Sequence, residues 1–199
     1  TLQYQTTYPT PQDRREKIFL GFLIHPDLAT LQTVVNTIDY NVSPMSALRD
    51  MFTPIKFIND GIAPSSNGSN LMFNTSAGYL WGYGINFQSN AKDPNRVYFP
   101  GAVPSSFQYR TQIGGTGGTI TTIDPNTWDV GGIPTTIGSN KYSTQRIYAT
   151  PSGLIRIQYG QTLYNSMATA LAGLESEPFN TLPTLKATGH LIGFLTLSS

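Results

Sequence analysis

The chain has 199 residues, 39% of them hydrophobic and only 12% charged, which is low beside the roughly 25% of ordinary soluble domains. Twelve basic and eleven acidic side chains balance to +1 and supply no overall attraction for nucleic acid or an anionic membrane, and no stretch is long and apolar enough to read as a membrane span or leader. The absence of cysteine excludes disulfides and thiolate chemistry, and two histidines, His25 and His190, cannot build a multi-histidine metal centre within one chain.

Residues 1–16 are polar, with Pro9 and Pro11 followed by Asp13-Arg-Arg-Glu16, and read as an exposed arm or linker. Lys17 to His25 reads as a strand ended by Pro26. From Thr30 to Tyr40, the spacing of Leu31, Val34, Val35 and Ile38 suits a helix, while the β-branched content suits an extended segment; both readings stay open. Ser43 is placed to cap a helix that starts on Pro44, carries Leu48, Met51 and Phe52 as its apolar stripe, and closes at Pro54.

Ile55 to Ile62 is expected to be a strand, followed by a polar turn over 64–70. Leu71 to Phe73 and Tyr79 to Phe87 are expected to be neighbouring strands joined by 74–78. In the second, Tyr79, Trp81, Tyr83, Ile85 and Phe87 share one side, opposite Leu80, Gly82, Gly84 and Asn86. The aromatic side is expected to be core, with a partner- or glycan-binding surface as the alternative.

Residues 91–101 read as loop, and Ser106 to Ile113 as a strand with Phe107, Tyr109 and Thr111 on one face. Gly114-Gly-Thr-Gly-Gly118 lacks the Gly-Lys-Ser/Thr ending of a phosphate loop and fits a tight hairpin. Thr119 to Ile123 is the next expected strand. It leads into Asp124-Pro-Asn-Thr-Trp-Asp129, a turn packed by Trp128 and without the full oxygen set of a calcium site.

Thr144 to Thr150 and Leu154 to Tyr159 form the best hairpin candidate, joined by Pro151-Ser-Gly153. Ile155, Ile157 and Tyr159 are its expected core residues, opposite Leu154, Arg156 and Gln158. Thr162 is then expected to cap a helix from Leu163 to about Ala172, ended by Gly173, with Met167 and Leu171 in its buried stripe. Residues 175–185 read as connector, and Leu191 to Leu197 as extended.

The pattern predicts a mainly β protein, with sandwich-like or small-barrel modules and two or more short helices. It folds either as one unit or as two modules, 17–140 and 144–199, divided near 141–144. Catalysis lacks a constellation. Asp124, Asp129, Asp93 and Glu177 are carboxylates without a demonstrable pairing, and neither histidine belongs to a triad pattern, so no enzyme activity, cofactor or metal is expected. Tyr79, Trp81, Tyr83 and Trp128 are the candidate glycan contacts.

Gln145-Arg-Ile-Tyr148, Gly153-Leu-Ile-Arg-Ile-Gln-Tyr-Gly-Gln-Thr-Leu-Tyr-Asn165, Leu182-Pro183 and Leu191-Ile-Gly-Phe-Leu-Thr196 together resemble a region of tailed-bacteriophage virion proteins of the tail-fibre, collar-appendage or receptor-binding kind. Phe19-Leu-Gly-Phe-Leu-Ile-His-Pro26 adds less specific likeness. The resemblance covers about residues 145–197 and carries no catalytic or metal-binding motif. It implies a virion subunit of a tail, collar or baseplate, assembled with identical chains as a trimer and with other tail or collar proteins. It also implies a structural module upstream of a variable end beyond Ser199. Direct binding of a bacterial surface glycan is the alternative, and glycan cleavage a weaker one.

Overall fold

The computed structural model describes Thr10, Asp13, the backbones of Gly21–Ile24, Thr33–Asn36, residues 44–46 and Arg49, and the rest of residues 47–199 in full. Apart from Thr10 and Asp13, the arm expected over 1–16 lies outside the described residues, as do His25 and the Ser43 cap. The chain divides into two compact units, Thr1–Pro54 and Ile55–Ser199.

In the first unit, β1 (Gly21–Ile24) pairs antiparallel with β2 (Thr33–Asn36), Gly21 opposite Asn36 and Ile24 opposite Thr33. The ambiguous 30–40 segment therefore contains a strand, in keeping with the stiff β-branched Thr33, Val34 and Val35. Helix α1 (Pro44–Phe52) begins on the expected proline, whose missing N–H leaves no intrahelical bond unmade at that position. It runs into a 3-10 turn over Thr53–Ile55, and Leu48, Met51 and Phe52 are exposed.

The second unit is mainly β and contains no closed barrel. In chain order its strands are β3 (Ile58–Asp60), β4 (Pro64–Ser66), β5 (Phe73–Thr75), β6 (Gly78–Trp81), β7 (Arg96–Phe99), β8 (Phe107–Arg110) and β9 (Gly115–Ile120). They continue with β10 (Thr127–Val130), β11 (Ile133–Thr136), β12 (Tyr142–Ala149), β13 (Ile155–Gln158) and β14 (His190–Ser198). Helices α2 (Met167–Gly173) and α3 (Pro183–Thr188) lie between β13 and β14 in sequence.

The main sheet has the order β14-β12-β13-β8-β9, with every pairing antiparallel except β13 to β8. It draws β8 and β9 from before residue 141 and the other three strands from after it. A module boundary at 141–144 is thus corrected: hydrogen bonding across the sheet makes the two segments one body. Three smaller sheets complete the unit: β3-β6-β7, β4-β5 and β10-β11.

Register explains the core. Ile155 lies opposite Phe107 and Ala149, and Ile157 opposite Tyr109 and Ile147, so one face of the main sheet is lined by the expected apolar set. Phe73 of β5, Leu80 of β6, Phe99 of β7, Ile62 and Ile123 close over that face in a single buried cluster that also holds Tyr159. Its rings pack specifically: Tyr109 and Tyr159 stack at 4.1 Å and 4°, and Phe107 meets Tyr109 edge-on at 5.3 Å. The buried hydroxyl of Tyr109 donates to Gln145 Oε1 at 3.1 Å and accepts from the Asp124 amide at 2.7 Å, while Gln145 Nε2 donates to the Asp124 carbonyl at 2.7 Å. This ring of bonds anchors Asp124 to the core; of the turn expected over 124–129, residues 127–129 belong instead to β10.

The opposite face of the main sheet is also covered. Gln158, expected on an outward side, has 0% exposure because its amide donates to the Asn180 carbonyl and accepts from the Leu182 amide. Leu182 and Leu185 pack on Tyr148, and the start of the 175–185 connector is held by Arg146, which pairs with Glu177 at 3.1 Å and lies 3.6 Å from the Phe179 ring centroid.

The helix after β13 is displaced from its expected place. Its cap is Ser166, four residues beyond Thr162, and Ser166 and Thr169 form a reciprocal capping box. Met167 and Leu171, expected in the core, are exposed, and Ala170 is the buried residue of this helix. The bridge between Tyr142 and Tyr164 holds the chain extended past Thr162 and shifts the helical phase. Three further expectations shift for similar reasons. Residues 64–66 pair as a strand with β5; the predicted 71–73 strand is β5 at 73–75; and residues 96–99, expected as loop, form β7. Phe73–Thr75 does not pair with β6, so the expected neighbouring-strand pair is replaced by β4-β5 and β3-β6-β7.

Candidate functional site

The aromatic stripe does not continue as one strand. Gly82 sits where an added Cβ would strike the Phe57 ring and Ile85, and its amide donates to the Asn95 carbonyl at 2.9 Å. From there the chain turns: the Gly84 amide, at φ +69°, donates to Asn95 Oδ1, and the Asn86 amide to the Pro94 carbonyl. Trp81 ends the strand, and Tyr83 and Phe87 stand exposed in the turns beyond it.

The faces of β6 are also the reverse of the core expectation. Leu80 is at 0% exposure against the main core, whereas Trp81 is at 42%. The residue with the smaller neighbours faces inward because the main sheet lies on that side, together with Val97 and Phe99 of β7. The corrected reading puts Tyr79, Trp81 and Tyr83 outside the core cluster.

Pairing then assembles the outer face. Ile58, Trp81 and Arg96 form one row across β3, β6 and β7, and Asp60, Tyr79 and Tyr98 form the next. The Tyr79 and Tyr98 rings lie 5.2 Å apart, and the Arg96 guanidinium carbon is 4.7 Å from the Tyr79 centroid and 5.9 Å from that of Trp81. Asp93 Oδ2 accepts from Arg96 Nε at 2.6 Å, which fixes the guanidinium over the rings and raises its pKa above the usual arginine value. The result is an open face with flat apolar rings, a cation held in place and a carboxylate at its margin. Such a face can stack on the apolar face of a sugar ring and hydrogen-bond its hydroxyls.

Arg96 and Tyr98 were absent from the expected site because 91–101 read as loop, and Ile58 and Asp60 because nothing local in the expected 55–62 strand specified its pairing with β6. The alternation Arg96-Val97-Tyr98-Phe99 was the available signal. Trp128 does not join this face. It lies half-buried on β10, opposite Thr135 of β11, in a different sheet.

The carboxylates considered for catalysis have structural partners. Asp129 is buried and accepts from the Gln112 amide at 2.5 Å and the Gly132 amide at 2.6 Å; Asp124 Oδ1 accepts from the Asn126 amide at 2.9 Å. Asp93 holds Arg96. Glu177 has a nearly buried side chain between Arg146 and the Tyr164 hydroxyl, which donates to it at 2.8 Å. Burial and that bond push the Tyr164 phenol up to about 12. His190 opens β14 opposite Ala149, and burial lowers its pKa. Among the described residues, no three His, Cys, Asp or Glu side chains are grouped to hold a metal ion.

No protein-family model, curated protein or solved structure matches the chain.

Proposed function

We propose that the chain is a structural subunit of a bacteriophage tail, collar or baseplate, assembling with identical chains and supporting host attachment. The observation that carries this reading joins sequence to structure: the residues resembling phage virion proteins supply β12, β13 and β14 of the main sheet, together with the segment fastened across its second face. That segment is a framework, with Gln145, Gln158 and Glu177 turned to internal bonds. Large apolar side chains left outside the core are consistent with further burial in an assembly. Mass spectrometry of gradient-purified particles, followed by placement of residues 58–199 in particle density, tests the proposal. Fixed stoichiometry within the particle supports it; recovery only in the particle-free host fraction sinks it.

A second reading has its own observation. The outer face of β3-β6-β7, with Trp81 and Tyr98 at 42% and 55% exposure around Arg96, suits direct contact with a bacterial surface glycan. Under this reading, Trp81→Ala and Tyr98→Ala weaken binding to host-envelope polysaccharide while leaving the melting transition in place. Unchanged polysaccharide binding by both variants removes it.

A further inference from the structure

Of the arginines whose side chains the structure describes, Arg96 and Arg146 each hold a carboxylate, Asp93 at 2.6 Å and Glu177 at 3.1 Å. Arg110 and Arg156 hold none, and they stand together on the second face of the main sheet. Register places them. Phe107 and Tyr109 of β8 and Ile155 and Ile157 of β13 belong to the core, so Gln108, Arg110, Arg156 and Gln158 share the opposite side. Arg156 lies opposite Gln108, and Gln158 opposite Arg110, which sets the two arginines diagonally across the parallel pair. On the far side, Arg156 has Tyr148 of β12 as its neighbour and Arg110 has Gly115 of β9. The strand positions beside the two cations therefore carry no acidic group.

The 180–182 segment covers Gln158 but leaves both arginines half-buried. The Arg110 guanidinium lies over Gly115, where an added Cβ would come within 2.9 Å of Nη1. It donates to the Tyr109 carbonyl at 2.7 Å and to Gln108 Oε1 at 2.8 Å, and Gln108 Nε2 in turn donates to Thr119 Oγ1 at 3.0 Å. Arg110 is thus fixed with N–H groups to spare, whereas Arg156 makes no hydrogen bond among the described residues. Burial lowers the pKa of both guanidiniums below the usual arginine value, and the charge of Arg110 adds to the effect on Arg156. Two like charges partly stripped of water repel each other, and an anion placed between them removes that cost.

We propose that Arg110 and Arg156 form a binding site for a terminal phosphate group, with Gln108 positioning Arg110. Charge and donor number select this ligand. A single guanidinium fork satisfies a carboxylate, whereas a terminal phosphate brings nearly two negative charges and three acceptor oxygens, enough to engage both arginines. The singly charged phosphodiester of a nucleic acid matches the pair less well. This site is separate from the aromatic face of β3-β6-β7, and the inference does not depend on the virion reading.

Calorimetric titration of the full chain with inorganic phosphate, and with acetate at matched ionic strength, tests it. Phosphate is expected to saturate one site and to raise the melting temperature, with acetate binding about tenfold more weakly or worse. Because Arg156 makes no bond within the chain, Arg156→Gln is expected to melt as the wild type does while losing about tenfold or more in phosphate affinity. Arg110→Gln provides a second, independent loss, and circular-dichroism melts establish that both variants are folded. Lys92→Gln, which removes a charge from the turn before β7, is expected to leave phosphate affinity unchanged. A hexose 6-phosphate, set against the unphosphorylated hexose, separates the sources of the group. Affinity equal to that of inorganic phosphate identifies the free ion, and tighter binding that the hexose alone does not show identifies a phosphorylated sugar; both support the site. Absence of saturable binding by either phosphate overturns the proposal, as do equal binding of acetate, folded Arg156→Gln and Arg110→Gln variants with wild-type affinity, or an equal loss from Lys92→Gln.

Discussion

β13 and β6 both come from alternating stretches of sequence, yet their surroundings treat that alternation differently. In β13, Ile155 and Ile157 face the main core, and Gln158 on the other side is buried by the 180–182 segment. In β6, one side carries Leu80 into the core, while Trp81 stands on a face that no described strand covers. Alternation identifies two sides of a strand, but the elements that arrive later in the chain decide whether one or both are buried.

The largest test of that contrast compares adjacent residues. Leu80→Ala is expected to destabilise the fold by about 2–5 kcal/mol through lost burial and a residual cavity. Trp81→Ala, despite removing a larger side chain, is expected to stay within about 1 kcal/mol because much of its indole is already in water. Urea melts of both variants provide the comparison. A greater loss from Trp81→Ala would reverse the assigned faces.

The covered side of the main sheet can be broken independently. Glu177→Ala leaves Arg146 beside Phe179 without its carboxylate and deprives the Tyr164 hydroxyl of its acceptor, so a loss of about 3 kcal/mol is expected. Glu177→Gln keeps a side-chain oxygen for Tyr164 and is expected to lose less. Equal stability for Glu177→Ala and the wild type in denaturant would show that the pair does not fasten the connector.

The legible parts of the fold are those whose sequence signal and final environment agree. The 144–159 hairpin, the terminal strand and the Phe107-Tyr109-Thr111 face follow from local alternation, and the inward residues expected of the hairpin and of that face are buried. Parallel pairing of β13 with β8 was not legible, because it joins segments nearly fifty positions apart and neither local pattern specifies the partner. The candidate site was half legible. Tyr79 and Trp81 were visible as a pair, whereas Arg96 and Tyr98 were hidden in a polar, proline-containing stretch whose strand character depends on β6. The Gly131-Gly132 turn, with both φ values positive, joins β10 to β11 and is a further local hairpin signal in the residues themselves.

A smaller test separates two caps within the main-sheet region. Ser166→Ala removes the acceptor for the Thr169 amide and is expected to destabilise the protein by about 0.5–2 kcal/mol. Thr162→Ala, placed before the helix, is expected to have less effect. Thermal melts distinguish the variants, and a larger loss at Thr162 would restore the earlier helix start.

The last test is made at alkaline pH and sharpens the distinction between covered and open faces. Tyr109 and Tyr159 lie in the main core and Tyr164 beneath the connector; burial raises all three phenols above the ordinary value of about 10, with Tyr164 pushed up to about 12. Because the folded chain holds these protons more tightly, their contribution is fully present below the unfolded pKa and is lost as pH rises above about 10 toward the folded values. Absorbance titration of native protein is therefore expected to show tyrosinate forming late at these three positions, with denaturant stability falling over the same alkaline interval. Tyr164→Phe should remove one late-titrating phenol and reduce the alkaline slope, even though it also breaks the Glu177 bond. If that variant retains the full late component, the covered Tyr164 assignment fails; if it loses one phenol while Tyr109 and Tyr159 still titrate late, the two covered faces of the main sheet are resolved separately.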